Sequence, residues 1–250
     1  MRVSVVNFCS SRADMLAFSS EMLTRNAGHA EYRYFVLTWL PSPEVVTWLD
    51  GTAIPLVRVQ YPTTQAEYLP QLRAMMNRGF EVGYEHADWV ALVNTDMAFG
   101  RDWLGNLVKH ATTPDRIPNS THITPIHGTG NTVWGDYGVP TEATFDTTGF
   151  WRHHDELFED EVETDRERKG GWEACASFPY LIHRKWWDRC GPWGLRFHGH
   201  GDAPDRAFFR RCHHEGAEFL MVHDSIVYHH EAVERRGKRP AGAELMPEGA

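Results

Sequence analysis

The stretch from Asp88 to Leu104, DWVALVNTDMAFGRDWL, constrains this chain more than any other. It opens on Trp89-Val90-Ala91-Leu92-Val93, an apolar run too short for a solitary helix and rich enough in Val and Trp to be a strand buried on both faces. Such a strand sits in the middle of a sheet covered on both sides, which makes the chain α/β. The run stops at Asn94-Thr95-Asp96, so a carboxylate arrives where a buried strand leaves its sheet. In open α/β sheets the carboxyl ends of strands are where ligands bind. Phe99, Trp103, Leu104 and Leu107 then recur at helical spacing, so the chain turns into a helix and leaves Asp96 at the rim. Taken alone, Asp96 reads equally as a turn residue or a helix cap, places that Asn, Thr and Asp all favour.

The neighbouring segments fit the same architecture. Val3 to Phe8 is a short apolar strand, and Cys9-Ser10-Ser11-Arg12 suits a tight strand-to-helix turn. Met15, Leu16, Ser19, Met22 and Leu23 then line one face of a helix that covers a sheet. Tyr34 to Leu37 is a second strand, ended by Thr38-Trp39 and the breakers Pro41 and Pro43, and Ile54 to Gln60 is a third. Leu69, Leu72, Met75 and Met76 lie on a helix expected to end near Asn77-Arg78-Gly79, with Gly79 as a left-handed cap. Ile117 to Asp136 is rich in Thr, Asn, Gly and His and reads as a functional loop or irregular layer, with only weak strand signals at His122-Ile123-Thr124. Asp155 to Arg168 carries eight carboxylates against two arginines and reads as a solvated face. Ala176 to Ile182 is a further strand, and Met221 to Tyr228 another that delivers His229-His230.

At 250 residues, 42% apolar and 24% charged, the chain is expected to form one globular domain. A net charge of −9 argues against a general nucleic-acid binder, which requires a basic face. Cys9, Cys175, Cys190 and Cys212 form no C-x-x-C pair, so neither a zinc ribbon nor a disulfide framework is expected and a reducing, cytoplasmic setting fits. No stretch approaches the roughly 20 apolar residues of a membrane helix, and no secretion signal is read at the start. Arg235 to Ala250 reads as a flexible tail.

NTDMAFGRDWL resembles the segment of GT-A glycosyltransferases, especially those of family 2, that carries a short acidic motif. The resemblance implies that Asp96, as the last acid, binds a divalent metal holding the diphosphate of a nucleotide sugar; Asn94 stands where the first acid often does. SVVNFCSSRADML resembles the family opening SVVIPTYNRADxL, whose loop contacts the nucleotide, with Ser10-Ser11 in place of Tyr-Asn. Thr38 stands where the family's second strand supplies an Asp that reads the base, so uracil specificity does not follow. Asn77-Arg78-Gly79 resembles an element near the nucleotide sugar, and Asn77 is the expected contact. The implied donor site is thus Cys9, Ser10, Ser11, Arg12, Thr38, Asn77, Asn94, Thr95 and Asp96.

The block from Ala176 to Gly191 resembles the family's acceptor side, where Trp186, Trp187 and Trp193 suit stacking on sugar rings; at least one of the adjacent pair belongs in the core. HGHGDAPDRAFFR resembles GxEDxDLxxR, which makes Asp202 the implied catalytic base with Asp205 in reserve. Asp202 also suits a helix cap, and Asp205 can pair with Arg210. His229 matches the family's C-terminal metal ligand, and imidazole favours Mn²⁺ over Mg²⁺.

Taken together, the resemblance implies a GT-A, Rossmann-like fold: a mostly parallel central sheet flanked by helices. Residues 1–234 would form one domain, with a nucleotide-binding half over 1–110, an acceptor-binding half over 111–234 and a tail over 235–250. The implied activity is metal-dependent, inverting transfer of a sugar from a nucleotide-sugar donor to an acceptor hydroxyl. That acceptor is a glycan, a lipid-linked sugar, a protein or a modified nucleic acid. The alternative is a sugar- or nucleotide-binding protein on the same fold that has lost catalysis, to which the absent second-strand Asp and Asn94 point. A histidine-based metal hydrolase ranks below both, since no H-E-x-x-H spacing is present.

Overall fold

The computed structural model describes residues 1–9, 11–60, 68–125, 132–167, 171–174, 178–193 and 204–230. The first half winds as strand, helix, strand: β1 (Arg2–Cys9), α1 (Ala13–Arg25), β2 (Glu31–Thr38), α2 (Pro43–Gly51), β3 (Val57–Gln60), α3 (Tyr68–Tyr84) and β4 (Trp89–Asn94). These strands form a parallel sheet in the order β3-β2-β1-β4, with β9 (Leu181–His183) added antiparallel to β4. The chain moves outward from β1 to β2 and β3, then returns to place β4 on the other side of β1. The strand order therefore reverses between β1 and β4, and a crevice at their carboxyl ends is the expected ligand position in a sheet of this kind.

The sequence dictates this sheet through alternation. Val3, Val5 and Cys9 of β1 and Trp89, Ala91 and Val93 of β4 face one core cluster, packed under α1 and α2. Val6 and Phe8 of β1 and Val90 and Leu92 of β4 face the other, packed against α3, α6 (Arg184–Cys190) and α7 (Pro204–His214). Both faces are buried, as the uninterrupted apolar run at 89–93 required. One buried polar contact is specific: Asn7 donates to Ser19 Oγ (3.2 Å) and Tyr34 Oη (3.0 Å), and Tyr34 pairs with Ser20 (2.7 Å). Ser19 and Ser20 thereby lie on the covered face of α1 without unpaired hydroxyls.

A second sheet carries the rest in the order β5 (Met97–Phe99), β10 (Glu218–His229), β6 (Arg116–Thr124), β7 (Thr132–Trp134), with β8 (Val162–Thr164) also on β10. β10 runs parallel to β6 and antiparallel to both β5 and β8. A register shift between Val222 and Ile226 divides it, so its first half pairs β8 and its last three residues pair β5. The two sheets meet where Ser120 N donates to Pro179 O (3.1 Å), beside an isolated bridge from Asn119 to Tyr180. Five of the eight strand pairings described are parallel, so the mixed α/β architecture is mostly parallel, although it is split into two sheets.

Several local expectations are corrected. Helix α3 does not end at Gly79 but runs on to Tyr84. Gly79 lies inside the helix because a Cβ there would sit 2.7 Å from Phe8 Cζ, and at Gly83 one would sit 2.5 Å from Val90 Cγ2. The two glycines, one turn apart, let α3 lie directly on β1 and β4. Pro43 opens α2 rather than merely breaking a strand: it holds the first helical turn, and Ser42 Oγ accepts from Val45 N (3.4 Å). Phe99 belongs to strand β5, and α4 (Trp103–His110) begins after it. The polar segment at 117–124 is a buried strand whose side chains are largely bonded: Ser120 to Ser225 (2.7 Å), Thr121 to Val222 O (3.3 Å), Asn119 to Ile117 O (2.6 Å). Thr147–Leu157 is a further helix, α5, capped by Asp146, which accepts from Gly149 N (2.9 Å); the acidic run begins in its last turns and stays exposed through most of its length. The strand expected at 176–182 is described only as β9, residues 175–177 and the tail 235–250 lying outside the described residues. No described helix is long and apolar enough to cross a membrane.

Candidate functional site

β4 ends at Asn94, the chain turns through Thr95 and Asp96, and Met97 begins β5, which pairs with the end of β10 so that Met97 stands opposite His229. His230 N donates to Asp96 O (3.0 Å), pinning the backbone of the turn to the strand that carries both histidines. Two residues 133 positions apart in the chain are thus fixed face to face by backbone pairing, and His229 Nε2 lies 3.1 Å from Asp96 Oδ1. Both side chains are almost covered. Burial raises the Asp96 pKa, but the His229 beside it, by charge and by hydrogen bond, outweighs burial and holds the carboxyl below the usual carboxylate range. Asp96 is therefore ionised at neutral pH.

The donor chemistry of this pair fits a hard or borderline divalent ion. Adjacent ligands on an octahedral ion with bonds of about 2.1 Å stand about 3.0 Å apart, which is the spacing already present between Oδ1 and Nε2. Among the described residues no three carboxylate, thiol or imidazole groups are gathered closely enough to hold an ion by themselves.

His122 lies beside this pair. It sits in β6 opposite Val227 of β10, and its ring meets the His229 ring edge-on at 5.7 Å between centres. The residue is 4% exposed, its Nε2 has no hydrogen-bond partner, and burial, with His229 adding to it, pushes its pKa well below the usual imidazole value. An unpaired buried nitrogen costs about 1–3 kcal/mol, so this ring is neutral and held at some expense. Pro118, Asn119 and Ser120 hide the strand period around Ile117, Thr121, Ile123 and Thr124, so only a weak strand signal at 122–124 marks its surroundings in the sequence.

The other expected donor residues gather unevenly. Cys9 ends β1 beside Thr38 of β2, both buried, and the Cys9 thiol approaches Arg12 O at 3.9 Å. Arg12 pairs with Asp14 through two nitrogens, at 2.9 and 2.7 Å. Asn94 and Thr95 lie in the Asp96 turn, with Thr95 buried, and Ser11 is half-buried beside Cys9, while Ser10 lies outside the described residues. Asn77 departs from expectation: its amide accepts from Trp193 N (2.9 Å) and donates to Trp193 O (3.1 Å), so it ties α3 to the segment after α6. Arg78 pairs with Glu81 and Glu85 on its own helix.

Two of the three tryptophans depart from the acceptor role. Trp186 is fully buried with its indole N–H on Pro114 O (2.8 Å), and Trp193 is 5% exposed between Phe80 and Phe178; neither offers a face to a sugar. Trp187 is half-buried, stacked on Phe80 at 4.8 Å, and keeps exposed surface. A seven-residue helix cannot turn neighbouring indoles inward together, and Trp186 takes the core. Asp202 lies outside the described residues. Asp205 is in the first turn of α7, where its Oδ1 accepts from Arg206 N (2.9 Å).

No protein-family model and no curated protein sequence matches the chain. Solved structures do. TarS of S. aureus (residues 1–349, with UDP) superposes at a TM-score of 0.63 and 10% identity, over 91% of this chain and 60% of that one. The mannosyltransferase PcManGT from Pyrobaculum calidifontis, with GDP-Man and Mn²⁺, gives 0.53 at 13% identity, over 94% and 58%. A mycobacterial protein gives 0.54 at 13% identity, over 96% and 68%. The chain thus spans about three-fifths of the TarS fragment and of PcManGT.

Proposed function

We propose that this chain, which has the GT-A fold, is a glycosyltransferase that moves a sugar from a nucleoside-diphosphate donor to an acceptor hydroxyl with inversion at the anomeric carbon. The observation that carries the reading is the Asp96–His229 pair, 3.1 Å apart at the point where the strand order reverses. Support also comes from TarS with UDP or UDP-GlcNAc and PcManGT with GDP-Man and Mn²⁺, which share the fold. Asp96 and His229 would hold a divalent ion, Mn²⁺ in preference to Mg²⁺ because one ligand is imidazole. Such an ion, when bound, supplies Lewis-acid stabilisation of the departing diphosphate.

The chain's own residues do the rest. The β1 loop from Cys9 to Arg12, together with Thr38, Asn94 and Thr95, borders the nucleotide. Asn94 and Thr38 are neutral where acids often stand, so the donor pocket carries less negative charge against a diphosphate. Asp202 would accept the proton of the attacking hydroxyl as general base. Displacement from the face opposite the diphosphate inverts the anomeric carbon. Residues 1–110 then act as the nucleotide half and 111–234 as the acceptor half, with Trp187 the remaining aromatic candidate for stacking on an acceptor. The same two neutral residues are what a binding protein without turnover would show, and donor hydrolysis in Mn²⁺ separates the two readings.

A panel of UDP- and GDP-sugars, followed by thermal unfolding with and without Mn²⁺, tests the donor site. A ligand at 100 times its Kd stabilises the native state by about 2.7 kcal/mol. For a chain of this size that raises Tm by roughly 5–10 °C. The rise is expected for at least one nucleotide sugar in the presence of Mn²⁺, and to disappear on adding EDTA. An equal rise without metal, or none across the panel, would contradict the reading.

A further inference from the structure

Among the described residues Trp134 is the most exposed large apolar side chain, at 57%. It ends β7, and its place follows from register. β7 runs parallel to β6 and β6 to β10, so the carboxyl ends of all three lie on one rim, where ligands bind in sheets of this kind. Thr124 stands beside Trp134 and Ile123 beside Tyr228, which puts His229, one residue on, in the same row. Partners in parallel strands project from one face, and alternate residues return to it. His122 identifies that face: its ring meets the His229 ring at 5.7 Å, and Thr124 and Trp134 share its side. Gly135 identifies the opposite one, since a Cβ there would lie 2.7 Å from Ile123 Cγ2 and 2.8 Å from Tyr137 Oη, whose ring meets Phe150 of α5. Gly135 N also donates to Thr124 O (3.0 Å), so the backbone is held on both sides of the indole.

We propose that Trp134 is the stacking platform for a pyranose ring of the acceptor, which makes the acceptor a carbohydrate. The inference rests on the transferase reading above and names the substrate class of the same site. In the second sheet β5, which follows the Asp96 turn, lies on one side of β10. Trp134 lies two strands away on the other side, about 10 Å from His229 at the usual strand spacing. With the nucleotide bordered by the ends of β1 and β2, the side of His229 toward β6 and β7 is left for the ring that receives the sugar. An indole offers a broad apolar face that covers the C–H face of a pyranose, while its edge tolerates water. A nucleic-acid base stacks on indole as well, but it brings phosphates. The net charge of −9, with Asp136 exposed two residues beyond Trp134, repels those and leaves uncharged sugar hydroxyls unaffected. Trp187, the one of the expected three that keeps exposed surface, follows β9, whose His183 stands beside Trp89 at the amino end of β4, the end away from Asp96.

The test is release of UDP or GDP from nucleotide sugars in Mn²⁺, followed against the concentration of two sets of pyranosides: octyl glycosides, and free di- and trisaccharides. Acceleration by at least one pyranoside is expected. A response to the free saccharides assigns a glycan acceptor and one confined to the octyl glycosides a lipid-linked sugar; either supports the proposal. In Trp134→Ala the loss falls on KM for that pyranoside, which rises about tenfold or more, the scale on which an anchoring tryptophan acts when truncated. Trp134→Tyr, which keeps an aromatic face, recovers most of it. Both variants keep the parent Tm and the melting shift given by the nucleotide sugar, because the side chain is exposed and lies beyond the donor. No acceleration by any pyranoside, or a KM in Trp134→Ala equal to that of the parent chain, overturns the proposal and leaves the donor site standing. A parent chain whose melting no nucleotide sugar shifts in Mn²⁺ overturns the transferase reading and this proposal with it.

Discussion

Asp96→Ala is expected to lower donor turnover by at least about a hundredfold at saturating Mn²⁺, equivalent to about 2.7 kcal/mol of lost transition-state stabilisation. The fold should survive, because the turn is held chiefly by backbone, its carbonyl accepting from His230 N and Met97 pairing with His229 whatever stands at 96, although the side-chain contact to His229 is lost. The effect is therefore read as a fall in rate with Tm little changed, in initial-rate and melting measurements on one preparation. His229→Ala should follow the same pattern. A variant that keeps its rate would mean that the carboxylate is a turn residue, the plainer reading its sequence always allowed.

The largest loss of stability is expected at Trp103. This side chain is fully buried, donates from its indole to Leu23 O (3.2 Å), and packs its ring 4.8 Å from Phe99. Its own carbonyl accepts from Ser225 Oγ (2.8 Å). Trp103 thus joins α1, β5 and β10, the elements between which the Asp96 turn is hung. Trp103→Ala removes a large ring from a core that cannot close over the gap, at a cost of about 3–5 kcal/mol. For a chain of this length that lowers Tm by roughly 10 °C, with a matching fall in the urea midpoint. Trp187→Ala, at a half-buried position, should cost clearly less, and equal costs at the two positions would contradict the assignment of core and surface.

What could be read from the sequence follows the apolar pattern. β1 and β4 are continuous apolar runs whose termini place Cys9 and the Asp96 turn at one rim, whereas His229 came forward as a partner through the family resemblance of the strand that delivers it. Elements held by polar contacts were harder to see. β6 is a central strand built of Asn, Ser, Thr and His, and its burial is tolerable only because partners come from β10, more than a hundred residues further on; no local pattern carries that. Helix α2 was readable in principle, from Ser42-Pro43-Glu44, an N-cap followed by a proline suited to the first turn. The course of α3 through Gly79 and Gly83 was not, because a glycine near a helical pattern signals a cap unless a neighbouring strand demands close approach. Trp186 and Trp187 show the same limit: their spacing forbade a shared direction but did not say which faced the core.

The central claim is that Asp96 and His229 together hold the ion that holds the diphosphate. Pulsed EPR of Mn²⁺ bound to the chain with UDP or GDP tests it directly. Imidazole nitrogen coupling and phosphorus coupling are expected on the same ion, with bound Mn²⁺ greatly diminished in Asp96→Ala. Mn²⁺ coupled to phosphorus but to no imidazole nitrogen would contradict it.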